Sequence, residues 1–164
     1  MQERNSPSEI HSSVEIVTYD EAYLSAYVRL NREWIEKYFR IEPMDVAQLE
    51  MARENILDQG GEIFFLLEDG NPVGTCAMVP HGPGCYELAK MAVDPSKRGL
   101  GYGSRLIHAV VAWARMKQAD KVMLLSNTIL EPAIALYKKH GFITTHLGPH
   151  PDYERCNIEM TLKL

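Results

Sequence analysis

The segment DPSKRGLGYGSRL, residues 94–106, places glycines at alternate positions directly before an apolar pattern typical of a helix. Glycine loses much backbone entropy on folding, so Gly99, Gly101 and Gly103 indicate a requirement for bare backbone at this point. The N-terminus of a helix offers unpaired N–H groups and a partial positive charge, and glycine lets a phosphate approach them closely. The segment therefore predicts an anion-binding loop, and its structural alternative is a glycine-rich turn that binds nothing.

Two common nucleotide-binding motifs do not fit this loop. A Walker A loop requires Gly-Lys before its Ser or Thr, whereas Ser104 follows Gly103 directly. A Rossmann fingerprint requires a third glycine where Ser104 stands and an acidic residue at the end of the next strand. Asp120 has roughly the expected offset but precedes that strand, so both motifs are excluded.

The composition indicates a single globular domain of ordinary character. The chain has 164 residues and a net charge of -5, which disfavours a nucleic-acid-binding surface. It opens with no signal-peptide pattern and contains no apolar run near the roughly 18 residues that a membrane helix needs. We therefore expect a cytoplasmic protein without a membrane partner. The three cysteines lack disulfide or zinc spacing, so we expect reduced thiols and no metal.

Hydrophobic periodicity predicts the element order β-α-α-β-β-β-α-β-α-β-β after a flexible N-terminal tail at residues 1–13. Such an order fits an α/β fold, a mixed sheet with helices on both faces, in one domain at residues 14–164. The predicted elements are strands at 14–19, 85–95, 121–127, 142–147 and 156–164, a hairpin at 62–80, and helices at 20–39, 42–61, after the glycine loop, and at 131–142.

Two blocks of the sequence resemble the motifs of one enzyme superfamily. YELAKMAVDPSKRGLGYGSRL, residues 86–106, resembles the central motif of the GNAT acetyltransferases, a strand followed by Arg/Gln-x-x-Gly-x-Gly/Ala. LLSNTILEPAIALYKKHGF, residues 124–142, resembles their second motif. The element order matches as well, so the resemblance covers about residues 14–164. It implies a GNAT-like acyl-CoA N-acyltransferase fold with a splayed central strand pair, acetyl-CoA as donor, and a possible homodimer.

The resemblance also implies which residues contact acetyl-CoA. The strand before the loop would pair through its main chain with the pantetheine arm, and the loop would bind the pyrophosphate. Asn127 resembles the asparagine that contacts the cofactor arm, and its structural alternative is a turn residue at a strand end. The family often has asparagine where this chain has Leu130. The implied cofactor-binding residues are Met91, Ala92, Val93, Arg98, Gly99, Leu100, Gly101, Tyr102, Gly103, Ser104 and Asn127.

Acetyl transfer to an amine needs a base for the amine proton and an acid for the leaving thiolate. Glu87 is the candidate base, since its position before the loop resembles that of the base glutamate in histone-type members. Strand alternation predicts that Glu87 shares a face with Ala89, Met91 and Val93. An edge or salt-bridged glutamate and a water relay from another acid are the alternatives. Tyr137 resembles the tyrosine of the second motif and is the candidate acid, with a core tyrosine as its alternative.

The end of the first predicted helix supplies the candidate acceptor pocket. Trp34, Tyr38 and Phe39 cluster there, and Glu42 and Asp45 follow in the next turn. Aromatic rings with carboxylates suit a cationic amine. Core packing of the rings and solvated turn acids form the alternative. The sequence thus predicts an N-acetyltransferase for a primary amine of a small molecule, amino acid or peptide. The rival hypothesis is a catalytically inactive sensor or interaction module that binds acetyl-CoA.

Overall fold

The computed structural model describes residues 12–164 and confirms the predicted element order. Most of the predicted tail lies outside the described residues. The backbone N–H of Ser13 donates to the Asp69 carboxylate over 2.9 Å, so the chain is paired from that point. The strands and helices are β1 Val14–Thr18, α1 Leu24–Tyr38, α2 Pro43–Glu50, β2 Glu62–Glu68, β3 Asn71–Pro80, β4 Cys85–Val93, α3 Tyr102–Met116, β5 Lys121–Ser126, α4 Glu131–Lys139, β6 Ile143–Leu147 and β7 Ile158–Lys163.

The seven strands form one mixed sheet in the order β1-β2-β3-β4-β5-β7-β6. Strands β4 and β5 run parallel, and their pairing is limited to Cys85–Glu87 against Lys121–Met123. Beyond Glu87 the two strands separate, which confirms the predicted splayed pair. Within the described residues, one edge of β4 there has no strand partner, and the sheet opens between its two halves.

Two apolar layers cover the sheet, one on each face. Leu106 of α3 and Tyr137 of α4 belong to one buried cluster. Tyr27 of α1 and Leu49 of α2 belong to the other. The prediction of helices on both faces is therefore confirmed, and the cleft between β4 and β5 is bordered by helices from both layers.

The prediction of one continuous helix at 42–61 is wrong, because the helix is interrupted. Helix α2 ends at Glu50, Met51 leaves the helical region at φ −117° and ψ 41°, and a π-helical turn follows at Arg53–Leu57. Ala52 and Ile56 are nonetheless buried in the same cluster as Leu49. Their spacing of three and four residues is that of an unbroken helix, so the apolar pattern contains no sign of the break.

A bulge in β4 contradicts the predicted alternation of side chains. Lys90 adopts φ +52°, and the register between β3 and β4 shifts between Thr75 and Ala77. A bulge inserts one extra residue and reverses the faces beyond it. Met91 and Val93 accordingly pack with the cluster that contains Leu88. Leu88 follows Glu87 and lies on the opposite face of β4, so Met91 and Val93 do not share a face with Glu87.

Candidate active site

A cleft of about 770 Å³ opens where β4 and β5 separate. One side consists of the glycine loop, the start of α3 and α4. The other consists of the end of α1 and the loop between β6 and β7, residues 148–157. The cleft thus joins the predicted donor side to the predicted acceptor side. Its lining includes Trp34, Tyr38, Phe39, Glu87, Lys90, Met91, Ala92, Val93, Arg98, Gly99, Gly101, Tyr102, Gly103, Ser104, Asn127, Tyr137, Tyr153 and Arg155.

The backbone of the glycine loop fits an anion. Gly99 and Gly101 have φ near +78°, and no atom lies within 4 Å of the position a Cβ would occupy. The N–H groups from Gly101 to Ser104 donate to no acceptor within residues 12–164. A Cβ on Gly103 would lie 2.9 Å from Cδ2 of Leu136, so this glycine lets α3 approach α4 closely. The arrangement presents unpaired donors at a helix N-terminus, as the bound pyrophosphate would require.

Side chains brace the loop from within the protein. The hydroxyl of Tyr102 donates to Glu68, which also pairs with Lys97 over 2.5 Å. The Ser104 hydroxyl is hydrogen-bonded to Nε2 of His140 over 2.9 Å. Both hydroxyl groups are thus engaged within the protein, so Tyr102 and Ser104 would contact acetyl-CoA through their backbone N–H groups, which stays a prediction.

Two further loop residues differ in what they offer a ligand. Arg98 lines the cleft and has no hydrogen bond or ion pair to the protein within the described chain, so its guanidinium is available to an anion. Leu100 is exposed and lies outside the cleft lining. The structure brings the predicted loop residues together at the cleft with the exception of the Leu100 side chain.

Met91, Ala92 and Val93 line the cleft along the part of β4 that has lost β5 as a partner. Their free edge provides backbone groups that an extended chain can pair with. Asn127 also lines the cleft, but its Nδ2 donates to the carbonyl of Arg155 over 2.7 Å and its Oδ1 accepts from the N–H of Ile129 over 3.0 Å. Asn127 thus caps the turn after β5, and its contact with acetyl-CoA stays a prediction.

Glu87 lies at the base of the fork, where β4 and β5 part. Its side chain lines the cleft and is only 9% exposed. Its carboxylate makes no side-chain hydrogen bond or ion pair within the described residues, and its role as the base stays a prediction. Burial raises the pKa of Glu87, and the charge of Lys90 is the main influence that opposes this rise, with smaller ones from His81, His150 and Arg155. A buried carboxylate without a partner and with a raised pKa suits a general base.

Tyr137 faces the same cleft from α4. Its ring packs against Phe142 with a centroid separation of 6.0 Å, and its hydroxyl has no hydrogen-bond partner within residues 12–164. Burial raises the pKa of Tyr137 to about 12, so the phenol keeps its proton at neutral pH. The side chain is therefore both a core residue and a proton donor available to the cleft.

The structure separates the predicted acceptor residues into two groups. Trp34, Tyr38 and Phe39 line the cleft, and the rings of Trp34 and Phe39 meet edge to face at 6.5 Å. Glu42 does not line it. Its carboxylate accepts the N–H of Glu154 over 2.9 Å and pairs with Arg155 over 3.4 Å. The aromatic residues thus line the cleft on the side of α1, and Glu42 fastens the adjoining loop of residues 148–157 on the same side.

Among the cleft residues that the sequence reasoning missed, three carry polar groups beside Glu87: Lys90, Tyr153 and Arg155. Lys90 is a charged residue within an apolar strand, which is the one signal the sequence contained. Tyr153 and Arg155 lie between β6 and β7, where the sequence has no periodicity. The ring of Tyr153 has the Arg155 guanidinium 4.9 Å from its centroid.

The described part of the chain contains no helix long and apolar enough to cross a membrane. It also contains no group of three or more His, Cys, Asp or Glu residues placed to hold a metal ion. The three cysteines are free and buried.

Solved structures share this fold over nearly the whole chain. An acetyltransferase of the GNAT family from Staphylococcus aureus has a TM-score of 0.84 at 23% identity, covering 93% of this chain and 99% of that one. A Salmonella typhimurium structure, described as an acetyltransferase with its cofactor acetyl-CoA, has a TM-score of 0.72 at 18% identity and covers 93% and 95%. At these identities the likeness establishes the fold.

Sequence comparison adds relatives and a family. An uncharacterised N-acetyltransferase of Schizosaccharomyces pombe is 33% identical over 98 residues, 57% of this chain and 60% of that protein. The chain spans 60% or less of the length of the curated relatives it matches. The model of the acetyltransferase (GNAT) family matches residues 23–142, from the start of α1 to the end of the second motif. With the fork between β4 and β5 and the glycine loop beside it, this match shows that the chain belongs to the GNAT acetyltransferase family.

Proposed function

We propose that this protein is an N-acetyltransferase that moves the acetyl group of acetyl-CoA directly to a primary amine. The observation that carries the proposal is one cleft that holds the glycine-loop N–H groups and the Glu87 carboxylate, neither of which has a partner within residues 12–164, together with the phenol of Tyr137. An anion-binding loop, a base and an acid are the groups that this transfer requires from a protein.

The donor half of the cleft fits acetyl-CoA. The N–H groups of Gly101 to Ser104 and the free guanidinium of Arg98 would hold the pyrophosphate. The unpaired edge of β4 at Met91–Val93 would pair with the pantetheine arm. When bound, acetyl-CoA supplies an activated acetyl thioester.

Glu87 would remove a proton from the ammonium group, and the loss of that proton makes the amine nucleophilic. Its raised pKa increases its strength as a base, and its lack of a partner leaves both carboxylate oxygens free for the amine. Tyr137 would donate its proton to the departing thiolate, since its phenol is protonated at neutral pH. Both steps use groups that already face the cleft, so no covalent enzyme intermediate is required.

The acceptor would enter between the aromatic wall of α1 and the loop of residues 148–157. Trp34, Tyr38 and Phe39 would contribute aromatic contacts to an ammonium group before it loses its proton. The Arg155 guanidinium already lies 5.8 Å from the Trp34 ring centroid and Nζ of Lys37 lies 5.2 Å from that of Tyr38, so these rings accept cations in the protein itself. Tyr38 is 44% exposed, which places the aromatic wall at the mouth of the cleft. This supports an amine of a small molecule, an amino acid or a peptide terminus as acceptor.

An acetylation screen tests this function. The wild-type protein, Glu87→Gln and Tyr137→Phe are assayed with acetyl-CoA against a panel of amino acids, polyamines, aminoglycosides and peptides. We expect turnover of at least one amine and a loss of about 10²-fold or more in kcat/KM for each variant. Tyr137→Phe removes no protein hydrogen bond, so its fold should be unaffected. Binding of acetyl-CoA without acetylation of any amine would instead support a binding module.

A further inference from the structure

A buried network of charges lies beside Glu87, and the proposed reaction does not use it. Asp45 is fully buried and accepts from Nζ of Lys90 over 2.9 Å and from Nη2 of Arg155 over 2.6 Å. Nη1 of Arg155 also contacts Asp45, and it pairs with Glu42 over 3.4 Å. Glu42, Asp45, Lys90 and Arg155 are called the charge network below.

The charge network joins three parts of the fold that surround the acceptor side of the cleft. Glu42 and Asp45 form a capping box at the start of α2. Lys90 projects from the bulge in β4, and Arg155 comes from the loop between β6 and β7. Charges removed from water are strongly unfavourable unless they are paired, so each cation here depends on Asp45.

Lys90 and Arg155 also line the cleft together with Glu87. Either cation could neutralise that carboxylate if it were not already paired. Asp45 holds both cations, and the formal charges of the network sum to zero, two carboxylates against two cations.

We propose that Asp45 is a positioning residue for this site, which keeps Lys90 and Arg155 from pairing with Glu87 and so leaves Glu87 free to face the acceptor amine. The inference rests on the proposed function, because a free Glu87 carboxylate matters for activity only if Glu87 is the base. Asp45 itself is not a catalytic residue, since it is buried behind the two cations and does not line the cleft.

Replacement of Asp45 and replacement of Lys90 should shift the ionisation of Glu87 in opposite directions. In Asp45→Asn, Lys90 loses the partner that favours its charged form, whereas the Arg155 guanidinium keeps its proton and is released towards Glu87, so the ionised form of Glu87 becomes more favourable. In Lys90→Met, one cation is removed and the ionised form becomes less favourable. A network that stabilised the fold without acting on Glu87 would leave its titration unshifted by either replacement. The other ionisable groups that face Glu87 are His81 on the turn before β4, Cys85 on β4 itself, and His150, Tyr153 and Cys156 on the loop after β6.

The test is a carbon-13 NMR titration of the Glu87 carboxyl in the full chain, without acetyl-CoA or amine. The signal is assigned by its loss in Glu87→Gln. We expect the titration midpoint to fall by roughly one pH unit in Asp45→Asn and to rise by a similar amount in Lys90→Met. Glu50→Gln is the matched control. It makes the same type of charge change on α2, at an exposed residue, and should leave the midpoint unchanged.

Equal midpoints in all variants, or shifts of the same sign in Asp45→Asn and Lys90→Met, would overturn the proposal. If Asp45→Asn does not fold, Lys90→Arg provides the comparison. The retained charge should keep the midpoint near the wild-type value, and a shift equal to that of Lys90→Met would overturn the proposal. The titration needs no turnover, so its result stands apart from the amine screen. Where turnover is found, the pH at which kcat/KM rises should follow the NMR midpoint in each variant.

Discussion

At the scale of a single residue, the burial of Glu87 favours its proposed role as a base but lowers the stability of the folded protein. Its carboxylate is buried and has no hydrogen-bond or ion-pair partner among residues 12–164, which suits a base but is unfavourable for the folded state when the group is charged. Active sites often hold such groups at the expense of stability. Glu87 therefore offers a test of its environment that is independent of the reaction.

We predict that Glu87→Gln is more stable than the wild type at pH 8 and gains little at pH 4. The pKa of Glu87 is raised in the folded state by burial, so ionisation penalises folding. The penalty is absent below the ordinary glutamate value of 4.5 and grows as the pH rises through the folded-state pKa. Urea unfolding at the two pH values measures the difference. A Gln variant less stable than the wild type at pH 8 would show that Glu87 has a stabilising partner.

Single residues also mark where prediction from the sequence was limited. Glu87 and Tyr137 could be predicted as candidates because each occupies a place in a motif, and both line the cleft. The role of Glu42 in the acceptor site was predicted from proximity along the chain, but its carboxylate is held by Arg155, which lies 113 positions later. No spacing rule indicates such a partner, since the pairing exists only after the loop between β6 and β7 has folded onto α2.

At the scale of elements, the charge network fastens α2, β4 and the loop of residues 148–157 to one another. Asp45 is the shared partner, with Lys90 and Arg155 on either side. Burial acts to raise the pKa of Asp45, but the hydrogen bond from Arg155 and the charge of Lys90 outweigh it and lower the value. The ionised form of Asp45 therefore stabilises these contacts.

We predict that Asp45→Asn loses about 3–5 kcal/mol of unfolding free energy at pH 7, because it leaves two buried cations with less compensation. A folded-state pKa below the ordinary value of 3.8 means that this stability is present above that value and is lost as the pH falls towards the folded-state pKa. The wild type should thus lose more stability than Asp45→Asn between pH 7 and pH 3.

Urea unfolding of both proteins at pH 7 and pH 3 checks this prediction. Glu50→Gln is the control, since its pair with Arg32 is exposed and should contribute about 0–1 kcal/mol. Equal stability of Asp45→Asn and the control at pH 7 would contradict the assigned role of the network.

The order of elements could be predicted because each one has an apolar period that does not depend on its neighbours. The bulge at Lys90 and the break after α2 could not. The bulge is a property of the pairing between β3 and β4, and the break keeps Ala52 and Ile56 in the core despite a changed helix geometry. Both features depend on tertiary contacts, which a local pattern does not contain.

At the scale of the whole molecule, the fork in the sheet accounts for the site. Separation of β4 from β5 opens the sheet beside the N-terminus of α3, and helices on both faces provide the two walls of the cleft. The donor would occupy the side of α3 and α4, and the acceptor the side of α1. Glu87 lies at the base of the fork, where the two halves meet.

The most direct test of this account is calorimetric titration of acetyl-CoA into the wild-type protein, Gly101→Glu and Gly82→Glu. Both glycines have φ +79° with open space around the Cβ position, and they lie at opposite ends of β4. The two variants therefore carry the same strain and charge, and circular dichroism verifies their folding. We predict saturable binding to the wild type and Gly82→Glu, and no binding to folded Gly101→Glu. Absence of binding to the folded wild type, or undiminished binding to Gly101→Glu, would contradict the assignment of the glycine loop as the pyrophosphate site.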